Sequence, residues 1–470
     1  MLPIVEFPEI VEHYAPYYES VFSEEAFIQF KRYISGLIMS ENKTIEGINR
    51  LFVNEVRNQS SLNRLLTESP FCLEELNAAR LSMLESVPGM QIKKTTGVLS
   101  LDDTLLIHCG QQFEKIAKLW DHVDNRYVWA HNLASLHYSD EQTDYPIGFQ
   151  LWEPPDLEKL ERGLQEAGVP LRASKFSLKT EKPKKWRQYL LGVWRRNQGK
   201  PEAAALHKSK LLIGRDLIKE FVKEHPGLKI PVTFDSWYTQ PAFCRFLDKE
   251  MELPYVGTLT ASDKVLLQSG KMTLADFAKQ LKSEHEAALK AGNKPIFKAV
   301  KIRYKGKTEH YHSYCQTHRI SKLGKQRLVI NFSQADLTDA PVFYNCNRLR
   351  WQAKRITSVR RHRWPVEVYY EEGKAEGLDQ YQLRDFEGIS RHIALVAVVY
   401  SILRAAQQDT VLRNSLQRQL KLILEGSAVF WRRSTQAQNL WRLALLINAE
   451  LLEGKRLPNI MAPLLQAMCY

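Results

Sequence analysis

The chain of 470 residues is long enough to bury a sizeable core and to contain more than one domain. Its 44% hydrophobic and 25% charged residues are typical of a globular protein, and its net charge of +13 favours an anionic partner, nucleic acid before membrane. The six cysteines form no CxxC pair, which argues against a disulfide scaffold and indicates a reducing compartment. No signal peptide is recognised, and the longest apolar helix candidate, Ile393 to Ile402, is far shorter than the roughly 20 residues of a membrane span. We therefore expect a soluble intracellular protein with no membrane partner.

Residues 1–92 are predicted to be a helical N-terminal region that binds DNA. Ser23 followed by two glutamates is a typical helix start, and a second short helix is expected from Thr44. The polar stretch after it carries side chains of the types that reach base edges and phosphates: Arg57, Asn58 and Arg64. Two short helices before such a stretch indicate a helix-turn-helix DNA reader, and a small helical cap with an ordinary polar face is the alternative.

Residues 93–259 have the strand order of a ribonuclease-H-like core. The predicted strands, rich in β-branched and aromatic residues, cover 97–101, 127–138, 147–152, 228–234 and 255–259. A helix is predicted from Ala203 to Phe221, between the third and fourth strands. Asp102 and Asp235 each follow a strand, and carboxylates in that position commonly lie at the active edge of an α/β sheet. Either aspartate alone is equally well explained as a turn residue.

Residues 172–200 are strongly basic and contain interleaved tryptophans. Such a run can follow a nucleic-acid backbone and stack on bases. A solvated helix face is the commoner origin of a charge run. The sequence leaves both interpretations open.

Residues 260–340 break the alternation of strands and helices and are interpreted as a mixed α/β insertion domain. Four of its residues have a spacing that a zinc site can use: His310, His312, Cys315 and His318. Their order matches no common zinc module, and His310 and His312 can alternate along a strand without a metal. We expect the core to resume over residues 341–410, and residues 411–470 to form a helical C-terminal region.

The stretch from Arg360 to Lys374 mixes cations, aromatics and acids. On a single helix, one face would present a stripe of mixed charge: Arg360, Arg363, Glu367, Glu371 and Lys374. A solvated surface helix explains such a stripe most simply. Pro365 interrupts the stretch and favours a second interpretation, in which a carboxylate holds a metal while neighbouring cations hold phosphates.

Asp102, Asp235 and Glu367 together have the chemistry of a metal-dependent phosphoryl-transfer site. Two divalent ions about 3.5–4 Å apart need several carboxylate oxygens, and they activate a water or hydroxyl while stabilising the leaving oxygen. Mg²⁺ suits this task because it takes hard oxygen ligands and keeps waters that reactants can replace. Turn or capping roles explain each acid singly, but they explain poorly three acids in this strand order.

With these residues the chain resembles the DDE transposases of bacterial insertion sequences, in the superfamily marked by a Tyr-x2-Arg-x3-Glu-x6-Lys signature. The Arg, Glu and Lys of that signature are matched at the right spacing by Arg363, Glu367 and Lys374. The signature Tyr falls on Arg360, which departs from the family pattern. The segments around Asp102 and Asp235 are similar to those that carry the family's two aspartates. The branch that the chain resembles most is insertion-sequence family 701, and the resemblance covers nearly the whole chain.

The resemblance implies an α/β fold, with a ribonuclease-H-like catalytic core interrupted by a mixed α/β insertion domain and flanked by helical N-terminal and C-terminal regions. It also implies two Mg²⁺ ions, for which Mn²⁺ can substitute, bound by Asp102, Asp235 and Glu367. Asp103 is the alternate to Asp102; adjacent strand residues point to opposite faces, and the family spacing to Thr104 favours Asp102. Glu371, one helical turn further on, is the alternate to Glu367.

The resemblance implies DNA contacts as well. Arg363 and Lys374 would hold phosphates beside the cut, and Arg360 would pair with a phosphate bidentately where a Tyr would donate one hydrogen bond. Trp364 and Trp351 would stack on, or wedge beside, a displaced base. A buried core tryptophan is the competing explanation for both.

The implied function is that of a cut-and-paste transposase, a homodimer that acts on terminal inverted repeats and target DNA in the bacterial cytoplasm, associated with the nucleoid when bound. Water would attack the phosphodiester at an element end, and the freed 3′-OH would attack target DNA. One alternative is a ribonuclease-H-like nuclease without strand transfer. The other is a catalytically silent, transposase-derived DNA-binding or regulatory protein.

Overall fold

The computed structural model describes residues 2–54, 57–420 and 428–468 and shows a mixed α/β protein built on one large sheet. Five helices precede the first strand: α1 (Glu9–Tyr14), α2 (Glu24–Met39), α3 (Ile45–Arg50), α4 (Gln59–Thr67) and α5 (Leu73–Ser86). The predicted helix starts are confirmed, because the hydroxyls of Ser23 and Thr44 accept hydrogen bonds from the first-turn amides of α2 and α3. The second of these helices is only six residues long.

The first four strands form an antiparallel meander: β1 (Val98–His108), β2 (Ala117–Asp121), β3 (Arg126–Ser139) and β4 (Asp144–Trp152). The prediction that β1 ends at Asp102 is wrong. Pairing with β3 continues from Val98 opposite Ser139 to His108 opposite Trp129. The length of β3 supplies backbone partners for β1 well beyond the two aspartates.

Between β4 and the next strand the chain forms a small helical unit and then one long helix. The helices are α6 (Leu157–Glu166), α7 (Leu178–Glu181), α8 (Pro183–Arg196), α9 (Pro201–Ala204) and α10 (Lys210–Glu224). The helix predicted from Ala203 starts later, because Ser209 caps α10 by accepting from the Leu212 amide.

The centre of the sheet is parallel. It consists of β1, β5 (Val232–Phe234) and β6 (Tyr255–Leu259), and the latter two are joined by α11 (Pro241–Arg245) and a π-helical turn over Phe246–Glu250. The predicted strands correspond to β1, β3, β4, β5 and β6, and the structure adds the short strand β2 and the helices α6 to α9, which the predicted ribonuclease-H-like order did not include.

Residues 260–346 extend the same sheet. Their elements are β7 (Lys264–Leu267), β8 (Gly270–Thr273), α12 (Leu274–Lys290), β9 (Lys298–Tyr304), β10 (Lys307–Ile320), β11 (Gly324–Phe332) and β12 (Val342–Cys346). The order across the sheet is β2-β3-β1-β5-β6-β12-β11-β10-β7-β8, with β4 also on β3 and β9 also on β10. The inserted strands therefore join the core sheet through the pairing of β12 with β6, and they surround a hydrophobic cluster of their own.

The residues considered for zinc are not gathered in one place. They all lie along β10, where eight residues separate His310 from His318, a span of about 26 Å at the rise of a strand. His318 is hydrogen-bonded to the Tyr314 hydroxyl, and the Arg327 guanidinium donates to Cys315 Sγ. One ion cannot contact all four residues.

The described residues after the sheet form the helices α13 (Ala353–Arg361), α14 (Trp364–Ala375), α15 (Phe386–Gln408), α16 (Thr410–Leu420), α17 (Ala428–Leu452) and α18 (Leu457–Met468). The chain turns at His362 and Arg363, so the stripe expected on a single helix is divided between α13 and α14. Pro365 stands in the first turn of α14, where its fixed φ and missing amide hydrogen are tolerated.

α15 is the central helix of the main core. It is longer than the sequence suggested, and by length and composition alone it is apolar enough to cross a membrane, yet 89% of its apolar window is buried within the fold. One hydrophobic cluster contains residues of α2, β1 and α15 together. The N-terminal helices therefore share a core with the sheet.

Candidate active site

Asp102 and Asp235 are brought together by the register of two parallel strands. Leu101 of β1 lies opposite Phe234 of β5, and these are the last paired residues of the two strands. Each aspartate is the next residue along its chain. The acids therefore emerge side by side at the carboxyl end of the parallel segment, where α/β proteins commonly build sites.

The two neighbouring aspartates of β1 serve opposite faces of the sheet. Leu101 packs against Gly214 of α10, and Asp103, two residues on, pairs with Lys210 of the same helix. Asp102 points to the other face, where α14 packs on β1, β3 and β4. Of the two, Asp102 is the one that lies on the side of Glu367.

Arg363 joins Asp102 to Glu367. Its Nη1 lies 2.5 Å from Oδ2 of Asp102, and its Nη2 pairs with Oε1 of Glu367 in the first turn of α14. The turn that carries Arg363 is fixed by the sheet, because the hydroxyls of Ser100 and Ser139 donate to the His362 carbonyl. One guanidinium thus neutralises two of the three predicted catalytic acids.

The surroundings of Asp102 disfavour the ionised form of its carboxyl group. Burial raises its pKa, Arg363 acts in the opposite direction, and the charges of Asp235 and Asp103 raise it further, to about 6. Burial also raises the pKa of Asp235, against hydrogen bonds that its Oδ1 accepts from the amides of Trp237 and Tyr238. The site holds more carboxylate charge than its buried cations balance.

Asp103 has partners that the sequence did not indicate. Its Oδ2 lies 2.8 Å from Lys210 Nζ and accepts from Asn132 Nδ2 at 2.6 Å, and its Oδ1 accepts from the Tyr238 hydroxyl at 3.1 Å. Lys210 Nζ also lies 4.2 Å from the centre of the Trp237 ring. The only signal in the sequence for these partners is that Tyr238 closely follows Asp235. Asn132 and Lys210 meet Asp103 through tertiary packing alone.

Asp102, Asp103 and Asp235, but not Glu367, line a cleft of about 680 Å³, here called the carboxylate cleft. Its lining includes Asp102, Asp103, Asp235, Lys210, Trp237 and Lys374. Lys374, in the last turn of α14, thus reaches the same cleft as the two aspartates. Trp120 and Trp152 line its outer part, and Trp120 and Trp237 are 40% and 43% exposed.

A second groove of about 240 Å³, the arginine groove, lies beside α13 and contains Arg360, Arg361, Arg363 and Trp364. Arg360 donates to the Thr258 hydroxyl at 2.9 Å, and burial together with the charge of Arg363 lowers its pKa to about 10. Trp364 is 48% exposed at the start of α14, where it is available to a ligand.

Two of the candidate residues have different surroundings from the rest. Trp351 is half-buried against the hydrophobic cluster beneath α13 and lines neither the carboxylate cleft nor the arginine groove, so its surroundings match the core-packing alternative. Glu371 is exposed, while Glu367 one turn before it pairs with Arg363.

The N-terminal candidates lie at a groove of about 370 Å³ between α2 and α4. Arg57 and Arg64 line this groove together with Glu25 and Glu68. The side chain of Asn58 caps α4 by accepting from the Ser60 amide. The helices α3 and α4 do follow α2 closely, but a capping role accounts for Asn58 without DNA.

Across residues 2–54, 57–420 and 428–468, no three His, Cys, Asp or Glu side chains lie close enough to hold a metal ion together. In the present arrangement the Arg363 guanidinium stands between the carboxylates of Asp102 and Glu367. The available donors are hard carboxylate oxygens with surplus negative charge, which is the ligand chemistry that Mg²⁺ takes. The residue types therefore fit a divalent ion, but in this arrangement Arg363 pairs with Asp102 and Glu367.

Residues 17–274 match the sequence model of a protein family described as DDE superfamily endonuclease. The match spans more than half of the chain and includes Asp102 and Asp235, but it ends before Glu367. No curated protein matches the chain.

Proposed function

Since the chain belongs to the DDE superfamily endonucleases, we propose that it is a DNA transposase that cleaves the ends of an insertion sequence and joins the 3′-OH to target DNA. The observation that supports the proposal is that Asp102 and Asp235 emerge side by side at the end of the parallel strands, while Arg363 joins Asp102 to Glu367. The proposal includes a homodimer, terminal inverted repeats as substrate and a bacterial cytoplasmic location.

Asp102, Asp235 and Glu367 are the residues that would hold the divalent ions, Mg²⁺ or its substitute Mn²⁺. When bound, such ions lower the pKa of water and stabilise charge on the scissile phosphate. Asp102 and Asp235 are held by adjacent strands, whereas Glu367 stands on α14. The distance of Glu367 from Asp102 and Asp235 therefore depends on how α14 packs.

The cations around the carboxylate cleft have separate tasks in this proposal. Among the described residues Lys374 forms no ion pair with a carboxylate, and it lines the cleft, which suits it to hold a phosphate of the cleaved strand. Arg363 pairs with Asp102 and Glu367, and it would be available to a phosphate if a divalent ion were bound by these acids. Lys210 keeps Asp103 paired, which prevents this acid from competing as a ligand.

Exposed aromatic rings at the cleft suit a displaced nucleotide. Trp364 lies beside Arg363 in the arginine groove, and Trp237, two residues after Asp235, lines the carboxylate cleft. Stacking of a base on an exposed tryptophan contributes about 1–3 kcal/mol and tolerates any sequence. Arg57, Asn58 and Arg64 remain the proposed readers of the terminal repeat.

The decisive experiment uses the full-length protein, a labelled plasmid that carries the coding region with its flanking DNA, a second target plasmid and Mg²⁺. Joined products are expected. Cleavage without joining would support an endonuclease without strand transfer, the second candidate, which is favoured by the description of the matched family as endonucleases. Binding without cleavage would support a silent DNA-binding descendant.

Single changes at the acids test the site itself. Asp102→Asn, Asp235→Asn and Glu367→Gln are each expected to reduce cleavage about 10³-fold or more, because an ion that polarises phosphate contributes several kcal/mol. Glu371→Gln removes an exposed acid of the same helix and is the matched control, expected to retain activity. Normal cleavage by Glu367→Gln would show that the third ligand has been misassigned.

A further inference from the structure

The helical unit formed by α6 to α9 is a separate feature beside the site. It has its own hydrophobic cluster, which includes Leu160, Leu164, Trp186, Leu190 and Trp194. Because these large buried side chains pack α6 to α9 against one another, the residues on the outer surface of the unit are held in fixed positions.

α8 presents only cations and neutral residues to solvent. Its sequence, PKKWRQYLLGVWRR, contains no acid. On a helix, Trp186, Leu190 and Trp194 share the buried face, and the opposite face carries exposed cations: Lys184, Lys185, Arg195 and Arg196. This set of four side chains is called the α8 cation face.

Carboxylates do not neutralise these charges. Within the part of the chain that the structure describes, none of the four residues of the α8 cation face forms an ion pair. In the same unit, Lys179 pairs with Glu161 at 2.9 Å and Arg162 lies 4.0 Å from Glu166. A solvated helix face usually mixes both signs in i,i+4 pairs, and this face does not.

The buried face of α8 is the one near the carboxylate cleft, and the α8 cation face lies on the other side of the helix. The ring of Trp194 lies 4.9 Å from that of His207, and His207 lies 6.4 Å from Trp152, which lines the cleft. α8 is 14 residues long, about 21 Å, a length over which duplex DNA presents many phosphates.

We propose that the α8 cation face binds the phosphate backbone of duplex DNA. The inference rests on the proposed function for DNA as the anionic partner, but the binding itself can be measured without catalysis. Long flexible cations that meet phosphates carry no base readout, so the contact is sequence-independent. It is distinct from the proposed repeat-reading residues of α4.

The test measures the affinity of the full-length protein for a fluorescein-labelled duplex of mixed sequence by anisotropy, from about 50 to 200 mM salt. The variant replaces all four side chains: Lys184→Gln, Lys185→Gln, Arg195→Gln and Arg196→Gln. The slope of log K against log salt is expected to become less steep by about 3–4, since each lost phosphate contact contributes about 0.9. Thermal unfolding of the variant should match that of the parent protein.

A second variant with the same loss of charge is the control: Lys271→Gln, Lys290→Gln, Lys294→Gln and Lys298→Gln, all exposed positions of the inserted region. It is expected to change the slope much less. Equal changes in both variants would show that net charge alone drives binding and would overturn the proposal. An unchanged slope in the α8 variant would overturn the proposal too. It would mean that the α8 cation face contacts an acidic protein or only solvent.

The outcome is separable from that of the proposed function. If Glu367→Gln abolishes cleavage while the α8 variant binds DNA normally, the function stands and this inference fails. If the α8 variant loses binding while no DNA is ever cut, the DNA-binding surface stands and the transposase proposal fails.

Discussion

The Arg363 guanidinium pairs with the carboxylates of Asp102 and Glu367 at the same time. A DNA phosphate is the other kind of partner proposed for it. The family signature implies that this Arg holds a phosphate, whereas its contacts here are with carboxylates. Arg363 performs both tasks if it pairs with Asp102 and Glu367 in the absence of a metal ion and with a phosphate when these acids bind an ion. The guanidinium would then compete with metal for Asp102 and Glu367.

Arg363→Gln is therefore expected to bind Mg²⁺ about tenfold more tightly, the equivalent of about 1.4 kcal/mol, because the ion no longer displaces a charged hydrogen bond. The rise of Tm with Mg²⁺ concentration measures this affinity. DNA cleavage by the same variant should fall, since a phosphate contact is lost.

Arg360→Gln serves as the control for metal affinity, since Arg360 donates to Thr258 and forms no ion pair with a carboxylate in the part of the chain that the structure describes. Its Mg²⁺ affinity is expected to stay within about twofold of that of the parent protein. If Arg363→Gln also left metal affinity unchanged, competition between Arg363 and metal would be ruled out and only a phosphate role would remain.

Helix α14 is held in place by a buried cluster of charges rather than by apolar packing alone. Arg404 of α15 lies 3.2 Å from Glu372 of α14 and 3.5 Å from Asp144 of β4, and Lys305 lies 2.6 Å from Asp144. Burial by itself would raise the pKa of Asp144, but Arg404, His137 and Lys305 outweigh it and hold the pKa well below its usual range. The cluster thus ties the helix that carries Glu367 to the sheet, to α15 and to the inserted hairpin.

Arg404→Met is expected to lower the free energy of unfolding by about 3–5 kcal/mol at pH 7, because it leaves Asp144 and Glu372 buried with less compensating charge. Asp144 stabilises the folded state above about pH 4, the pKa of an unfolded aspartate, and this contribution is lost as pH falls through the depressed folded pKa. In the variant the pKa of Asp144 rises and the acid takes up a proton sooner. The difference from the parent protein should therefore shrink as pH falls below about 5.

Denaturant titrations over that pH range measure the effect. Arg162→Met, which removes a 74% exposed side chain, is the control and should change stability by less than about 0.5 kcal/mol. A loss below about 1 kcal/mol for Arg404→Met at neutral pH would mean that apolar packing alone holds α14.

The whole molecule is organised by one sheet and one main core. The inserted strands continue the sheet through β12, and the N-terminal helices enter the same hydrophobic cluster as α15. α17 is different, because it leaves large apolar side chains in solvent: Leu440, Trp441, Leu445 and Leu452. Exposed apolar patches of this kind mark interaction sites, and the proposed homodimer would cover this one.

If α17 forms the dimer contact, the double variant Trp441→Glu with Leu445→Glu should be monomeric under conditions where the parent protein is a dimer. Charged side chains cannot be buried there without partners, so the contact would dissociate. Sedimentation equilibrium measures the mass. Leu289→Glu, at a 54% exposed position of α12, is the control. A parent protein that is monomeric throughout the concentration range, or a dimeric double variant, would contradict the assignment.

Local patterns predicted the elements well where neighbouring residues decide them. The hydroxyls of Ser23 and Thr44 cap helices as expected, and Asp235 follows a strand. The strand over 97–101 was predicted too short, because the partner that prolongs β1 beyond Asp102 is β3, a strand more than twenty residues away. The prediction of one continuous helical stripe was wrong because the chain turns at His362. The hydroxyls of Ser100 and Ser139, on strands of the sheet, hold this turn by donating to the His362 carbonyl.

The sequence by itself determined which residue types this protein has available for chemistry: three acids at suitable positions, a signature of Arg363, Glu367 and Lys374, and an excess of cations. The tertiary structure alone decided that Asp102 meets Arg363 while Asp103 meets Lys210, that Trp351 packs in the core, and that burial raises the pKa of Asp102. The physical reason is distance along the chain. The contacts of Asp102 with Arg363 and of Asp103 with Lys210 join residues separated by more than a hundred positions, and only strand register and helix packing bring them together.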